Sequence, residues 1–176
     1  TVTATLVIAV WVLATGALHL DGLSDTADGW LGGRGDRGHT LRIMQDTHAG
    51  AAGIVAVAVV LLIKFAALSA LLESERWWLL GIAPLLGRAA LPALLMTMPY
   101  ARSGGIGETL ARELPRSESR VAIAVAVGLA ALLTLVQAGF APAVIVTVLP
   151  VALLTGWRWW LLQRIGGTTG DTAGAA

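Results

Sequence analysis

The chain has 176 residues, of which 56% are hydrophobic and 13% are charged, and its mean hydropathy is +0.77. This composition is too apolar and too poor in charge for an ordinary soluble domain, and it indicates a membrane protein. The formal net charge of +1 is too small to indicate nucleic-acid binding. The chain has no cysteine, which excludes disulfides, thiol catalysis and thiolate metal ligands.

Five apolar stretches approach the roughly 20 residues that a membrane-spanning helix needs. They cover about residues 1–18, 49–72, 77–98, 121–140 and 141–162. Between the last two, Gly139 and Pro142 mark either a tight turn between helices or a kink within a re-entrant helix. The sequence therefore predicts an all-α, polytopic membrane helix bundle of about five crossings, with residues 1–176 forming a single membrane domain.

Arginines are concentrated in the first connection, in the third connection and near the end of the chain: Arg34, Arg37, Arg42, Arg102, Arg112, Arg116, Arg120, Arg158 and Arg164. Five crossings place these three segments on one side, which the positive-inside rule makes cytoplasmic. Residue 1 then lies outside. Because an external start without a preceding anchor is unusual, we expect a further helix before residue 1 in the full protein.

Three aspartates follow the first apolar stretch, in the segment His19-Leu20-Asp21-Gly22-Leu23-Ser24-Asp25-Thr26-Ala27-Asp28-Gly29. If the helix continues, Asp21, Asp25 and Asp28 stand at i, i+4 and i+7 and project from one face. Like charges about 6 Å apart repel by roughly 3 kcal/mol at an effective dielectric near 20, and a bound cation relieves that repulsion. Oxygen ligands favour magnesium, with manganese as the alternative. A solvated helix end is the simpler interpretation, but the cytoplasmic position beside a membrane helix favours metal binding.

A fourth carboxylate, Asp46, lies just before the second apolar stretch. It either caps the second membrane helix or joins the metal ligands, and its proximity to the first cluster favours the second role. His48 is a candidate base or phosphate contact, although an interface residue is the simpler interpretation. Lys64 and Arg88 lie inside apolar stretches, where a central charge costs about 2.5 to 3.5 kcal/mol on insertion scales. Each has either a structural role or a role in reaching a substrate phosphate.

Two further segments, residues 99–107 and 164–172, combine glycine with arginine. Glycine lets backbone N–H groups approach phosphate oxygens, and arginine adds charge-assisted hydrogen bonds. Neither segment is a P-loop, because the lysine-serine ending is absent. Flexible turns are the simpler interpretation of each segment alone. Their predicted position on the side of the aspartates favours phosphate binding.

In their order, these motifs resemble those of the cobalamin synthases, also called adenosylcobinamide-GDP ribazoletransferases, across nearly the whole chain. The matching residues are His19 to Leu23, Asp25, Asp28, Gly29, Met44, Asp46, Gly50, Lys64, Arg88, Tyr100 to Arg102, Gly105, Gly107, Gly166, Gly167 and Thr169 to Thr172. The sequence departs from the family pattern at Thr47 and His48, where members carry serine and arginine. Family members extend beyond both ends, so we expect this chain to lack an N-terminal and a C-terminal helix of the family.

The resemblance implies a magnesium-dependent transferase that joins adenosylcobinamide-GDP to α-ribazole or α-ribazole 5′-phosphate and releases GMP. It implies a bacterial or archaeal cytoplasmic membrane, with the site facing the cytoplasm and lipid as the other partner. The candidate metal ligands are Asp21, Asp25, Asp28 and Asp46. The candidate catalytic residues are Asp25, Asp28, Asp46, Arg88 and Arg102. The candidate substrate-binding residues are His19, Lys64, Tyr100, Gly105, Gly107, Gly167, Thr169, Gly170 and Asp171.

Two other functions fit parts of the pattern. Asp25-x-x-Asp28-Gly29 is similar to the aspartate pattern of CDP-alcohol phosphotransferases, but the remaining spacings of that family are absent. A cation transporter with an aspartate-lined site is the alternative from another class. Transporters usually keep such residues near the middle of the membrane, whereas these aspartates cluster at one interface.

Overall fold

A computed structural model of the protein describes residues 1–74, 76–102 and 106–176. Within these ranges the regular structure is helical, with one isolated backbone bridge between Tyr100 and Thr168. The helices of these ranges are α1 (Val2–Ala14), α2 (Leu18–Gly32), α3 (Arg37–Ile43), α4 (Ala51–Glu73), α5 (Leu79–Thr97), α6 (Ile106–Glu113), α7 (Arg116–Ala138), α8 (Phe140–Ile165) and α9 (Gly170–Gly174).

Four of these helices, α4, α5, α7 and α8, are long and apolar enough to cross a membrane. The pair α1 and α2 makes a fifth crossing only if its two parts are taken together as one broken span. The prediction of an all-α, polytopic membrane protein is therefore confirmed, at four to five crossings.

The first predicted crossing is broken. Helix α1 has 13 residues, which at 1.5 Å per residue is about 20 Å and too short for a hydrocarbon core of about 30 Å. The chain then bends by 84° into α2, through Gly16 and Ala17 with left-handed φ angles of 59° and 58°. A broken span and a re-entrant loop place residue 1 on different sides of the membrane. The external start therefore stays a prediction.

Apart from the last two residues, the chain divides into two compact units, Thr1–Leu79 and Leu80–Gly174. In the first unit, α2 packs against α3 and α4, and α1 packs against α4. In the second unit, α7 packs against α8, and α6 contacts α9. The prediction of a single membrane domain over residues 1–176 stays a prediction.

The junction between α7 and α8 is a tight turn. Helix α7 ends at Ala138 and α8 begins at Phe140, so that Gly139 alone joins the two helices. Gly139 has φ 90° and ψ −175°, a conformation that is essentially restricted to glycine. Of the two interpretations left open by the sequence, the turn between two helices is correct.

We expect Gly139→Ala to destabilise the second unit by about 1 to 3 kcal/mol, because the added Cβ strains the turn conformation. The measurement is the midpoint of thermal unfolding of the purified protein in detergent. Gly156→Ala is the matched control, since Gly156 lies inside α8 and a Cβ there would meet nothing within 4 Å. Equal midpoints for the two variants would contradict the strained turn.

Candidate functional site

The three clustered aspartates all lie on α2, which runs from Leu18 to Gly32. The helix therefore continues through the cluster, and the predicted spacing of i, i+4 and i+7 puts Asp21, Asp25 and Asp28 on one face. Asp21 is exposed, whereas Asp25 and Asp28 are half-buried. The common face of the cluster is thus confirmed at the level of the backbone.

Asp28 caps the start of α4. Its two carboxylate oxygens accept hydrogen bonds from the backbone N–H groups of Gly50, at 2.7 Å, and Gly53, at 2.9 Å. Gly50 is the N-cap residue of α4 and has no side chain of its own to fill this role. The carboxylate also places negative charge at the positive end of the helix dipole. Asp28 therefore has a structural function beside any role in chemistry.

The glycines at the start of α4 allow this close packing. A Cβ added to Gly50 would lie 2.8 Å from the carboxylate carbon of Asp28, and one added to Gly53 would lie 2.9 Å from the backbone oxygen of Ser24. Either substitution forces α4 away from α2. Sequence reasoning missed Ser24 and Gly53, although the Gly50-x-x-Gly53 spacing before an apolar run was the available signal.

Helix α3 packs against α2. Asp36 caps α3 by accepting a 2.6 Å hydrogen bond from the backbone N–H of His39, and the buried Thr40 hydroxyl donates to the Asp36 carbonyl at 2.7 Å. Met44 is 3% exposed, and its side chain occupies the space where Gly29 has no Cβ. This packing returns the chain from α2 to the Asp28 cap.

Asp46 lies in the exposed loop between α3 and α4. Its carboxylate accepts a hydrogen bond from the backbone N–H of His48 at 3.0 Å and lies 2.7 Å from Nδ1 of the His48 ring. The hydrogen bond from the His48 side chain lowers the pKa of Asp46, so the carboxylate is charged at neutral pH. The interpretation of Asp46 as the cap of the second membrane helix is wrong, because Asp28 fills that position.

Among the described residues, no three histidine, aspartate or glutamate side chains are grouped closely enough to hold one metal ion. An all-protein metal cage therefore does not fit the described part of the chain. Magnesium, however, is commonly held by one or two carboxylates, with substrate phosphates and water supplying the remaining ligands. The oxygen donors on one face of α2 fit an ion bound in that way.

Three further candidates are His19 and Lys64 in the first unit and Arg88 in the second. His19 follows the break between α1 and α2, where its Nδ1 atom lies 3.0 Å from the Thr15 hydroxyl. Lys64 is half-buried within α4. In the second unit, Arg88 is exposed on α5, between the two prolines Pro84 and Pro92. The substrate and catalytic roles of these three residues stay predictions.

In the second unit, the two glycine- and arginine-containing segments are paired. The backbone N–H of Ala101 donates to the Thr168 carbonyl at 2.8 Å, and the N–H of Thr168 donates to the Pro99 carbonyl at 2.9 Å. The Tyr100 hydroxyl accepts a further hydrogen bond from the Gly170 N–H at 3.0 Å. The structure thus brings together two segments about 70 residues apart, which we call the 99/168 bridge.

Beside the 99/168 bridge, Nη1 of Arg102 donates to Oδ2 of Asp171 at 3.3 Å. The two side chains are 25% and 20% exposed, so the pair is largely shielded from water. Sequence reasoning named both residues but gave no indication that they form a pair.

Buried threonines anchor this arrangement. Thr169 and Thr172 cap α9 reciprocally, because each backbone N–H donates to the hydroxyl of the other residue, at 2.8 and 3.2 Å. The Trp157 indole donates to the Thr172 carbonyl at 3.1 Å. Thr168 and Thr169 are 0% exposed, which leaves substrate contact by Thr169 a prediction. The Thr-x-x-Thr spacing was an available signal for this cap, and sequence reasoning missed it.

Glycines in both segments allow close packing. A Cβ on Gly107 would lie 3.0 Å from the ring of Tyr100, and one on Gly167 would lie 3.1 Å from the carbonyl carbon of Pro99. The close packing around these two glycines therefore explains why neither position carries a side chain, without a bound phosphate. Gly105, a predicted substrate contact, lies outside the described residues.

Comparison with known proteins gives one consistent result. The family model described as cobalamin-5-phosphate synthase matches residues 1–176. The protein named adenosylcobinamide-GDP ribazoletransferase of Pseudomonas fluorescens (strain Pf0-1) is 51% identical over 172 residues, covering 98% of this chain and 69% of the relative. The proteins of that name from Pseudomonas paraeruginosa (strain DSM 24068 / PA7) and Stutzerimonas stutzeri (strain A1501) are each 47% identical, covering 98% of this chain and 68% of the relative. No solved structure matches.

The helices and the comparisons together define a polytopic membrane enzyme of the transferase class. The chain belongs to the cobalamin-5-phosphate synthase family, whose transferases act in cobalamin biosynthesis. The resemblance inferred from the motifs is therefore confirmed.

We expect Asp28→Asn to lower the stability of the first unit by about 1 to 2 kcal/mol, because an amide retains one acceptor oxygen and loses the negative charge at the start of α4. Unfolding is measured in detergent with a metal chelator present, so that any loss of a bound ion does not contribute. Asp21→Asn is the control, since it removes a carboxylate from an exposed position on the same helix. Equal stability of the two variants would show that the cap is dispensable.

Proposed function

We propose that the chain catalyses the magnesium-dependent reaction of adenosylcobinamide-GDP with α-ribazole or α-ribazole 5′-phosphate, with release of GMP. The observation that carries the proposal is the carboxylate face of α2 in a chain that belongs to this family. The name of its relatives supports the substrate class, because it contains adenosylcobinamide-GDP and a ribazole transfer.

The proposed step is a single displacement at phosphorus. A ribose hydroxyl of the acceptor attacks the phosphorus that is bonded to cobinamide. A new oxygen–phosphorus bond forms, and the bridging bond to GMP breaks. GMP leaves with the bridging oxygen, while the hydroxyl proton passes to a carboxylate that acts as base. The product is a phosphodiester, and no covalent enzyme intermediate is needed.

Asp25 is the residue to which we assign the principal metal contact, with Asp21 and Asp28 on the same face and Asp46 as further candidates. When bound, magnesium stabilises the negative charge on the phosphate oxygens. Both oxygens of Asp28 already accept backbone hydrogen bonds. A carboxylate oxygen has two lone pairs, so capping and ligation by Asp28 are compatible. One of these carboxylates acts as the base for the attacking hydroxyl.

Arg102 and Arg88 are the cations to which we assign the donor diphosphate, whose bridging bond breaks as GMP leaves. A guanidinium presents paired donors that match phosphate oxygens, and it remains charged at any physiological pH. In an environment shielded from water, such a donor stabilises developing charge more strongly than it does in bulk water. The partial burial of Arg102 supports this assignment for Arg102. Arg88 lacks that support, because it is exposed on α5.

The proposal requires that the carboxylates and Arg102 meet the substrate on one side of the cytoplasmic membrane. Because the chain has no cysteine, single cysteines introduce unique labelling sites. We expect Thr47→Cys and Glu113→Cys to react with a membrane-impermeant maleimide only from the cytoplasmic side, as the positive-inside rule predicts. Phe140→Cys, at the exposed start of α8, should react only from the other side. Labelling of Thr47→Cys and Glu113→Cys from opposite sides contradicts the proposal.

We expect Asp25→Asn to reduce magnesium-dependent GMP release by at least about a hundredfold, comparable with the loss of a stabiliser worth roughly 3 kcal/mol at the transition state. Turnover is measured in reconstituted membranes, with matched amounts of folded protein, across a magnesium titration. Partial recovery at high magnesium identifies a ligand, whereas a loss that magnesium does not change identifies a base. Asp36→Asn is the control for removal of an aspartate elsewhere in the unit.

Near wild-type turnover of Asp25→Asn would refute the assignment of the aspartate site. The same assay separates the alternatives. GMP release that depends on α-ribazole supports the proposed reaction. CMP release with an alcohol acceptor would instead favour a CDP-alcohol phosphotransferase, and metal flux into liposomes without nucleotide turnover would favour a transporter.

A further inference from the structure

We propose that Asp171 is a positioning residue that holds the Arg102 guanidinium in the orientation that binds the diphosphate of the donor. This inference rests on the proposed function, because it takes the phosphates of the donor as the anion that Arg102 binds. It assigns Asp171 a role that differs from the substrate contact predicted from the sequence.

The charge of Asp171 argues against direct contact with the donor. A carboxylate beside a diphosphate is repelled by it, whereas a carboxylate beside an arginine is attracted. Oδ2 of Asp171 accepts from Nη1 of Arg102 at 3.3 Å and lies 3.4 Å from the Thr169 hydroxyl. Asp171 therefore engages the cation rather than competing for the anion.

The Asp171 contact engages only part of the Arg102 guanidinium. A guanidinium carries five N–H donors in a rigid plane, and the contact to Oδ2, which joins it to Asp171 among the described residues, uses one of its terminal nitrogens. Fixing one edge of the plane sets the direction of the other edge. An arginine whose orientation is fixed before binding loses less side-chain entropy when the ligand arrives.

The carboxylate is itself held in place from several directions. Asp171 lies in α9, where Thr169 and Thr172 form the reciprocal cap. The neighbouring Gly170 N–H donates to Tyr100, two residues before Arg102. The 99/168 bridge thus fixes the backbones on both sides of the ion pair. The buried threonines, which the mechanism does not otherwise use, acquire a function as the support of this pair.

The test is a double-variant cycle on GDP binding, with GDP alone as the probe. Dissociation constants are measured for the wild type, Asp171→Asn, Arg102→Ala and the double variant, in the full chain reconstituted in nanodiscs. We expect Asp171→Asn to weaken GDP binding by about tenfold or more when Arg102 is present, and to change it less than about twofold in the Arg102→Ala background. Asp171→Glu, which retains the charge, should recover part of the affinity. Glu113→Gln is the control for removal of an exposed carboxylate from the same unit.

Equal effects of Asp171→Asn in both backgrounds would overturn the inference, as would unchanged GDP binding in Asp171→Asn. A loss of affinity that disappears when binding is normalised to folded protein would also overturn it, because that loss reflects stability alone.

The GMP-release assay is run in parallel on the wild type. Coupling between the two residues without GMP release refutes the proposed reaction alone, whereas GMP release with additive effects refutes the positioning role alone.

Discussion

The packing of the first unit depends on the two hydrogen bonds between the Asp28 carboxylate and the first turn of α4. A helix that enters a membrane begins with N–H groups that no residue of its own helix satisfies, and hydrocarbon offers no water to replace the missing partner. Asp28 satisfies two of these groups, at Gly50 and Gly53. The same contact sets α2 beside α4. The face that carries Asp21 and Asp25 is therefore oriented by a membrane helix.

This contact gives Asp28 a structural function besides the metal binding that we propose for it. Under that proposal the carboxylate links the start of α4 to the charge on α2, because movement of Asp28 toward an ion would weaken the cap. The exposed Asp46, by contrast, contacts only the nearby His48 among the interactions described for it. Loss of activity in an Asp28 variant is consequently ambiguous unless stability is measured separately, and Asp25 is the better residue on which to test metal chemistry.

In the second unit, hydrogen bonds between distant segments also satisfy polar groups, but the partners are backbone groups, a tyrosine and threonines rather than a carboxylate. The 99/168 bridge, the Tyr100 hydroxyl and the threonine cap of α9 pair backbone and side-chain groups of two distant segments. Arg102 and Asp171 lie at the edge of this arrangement rather than inside it, at 25% and 20% exposure. An ion pair in that position has hydrogen-bonded neighbours and retains some exposed surface.

Glycine is where sequence reasoning was least specific. Gly107 and Gly167 were interpreted as places where a phosphate approaches the backbone, and the structure gives each a different neighbour, Tyr100 and Pro99. A missing Cβ allows close approach of a ligand or of another part of the chain, and the residue type alone does not distinguish the two. At Gly139 the sequence left a turn and a kink open, and the structure decided for the turn, because α7 ends at Ala138 and α8 begins at Phe140.

The sequence by itself determined the helical membrane class and the common face of Asp21, Asp25 and Asp28, because the length of an apolar stretch and the period of a helix are read from local spacing. It also determined the family, through the order of the motifs. Only the tertiary structure decided the partners of Asp28, which lie 22 and 25 residues away, and the pairing of Arg102 with Asp171 across 69 residues. The break at residues 16 and 17 was also decided there, since an apolar composition does not distinguish a straight helix from a bent one. Local spacing fixes which side chains share a helix face, whereas contacts between distant segments depend on how the helices pack.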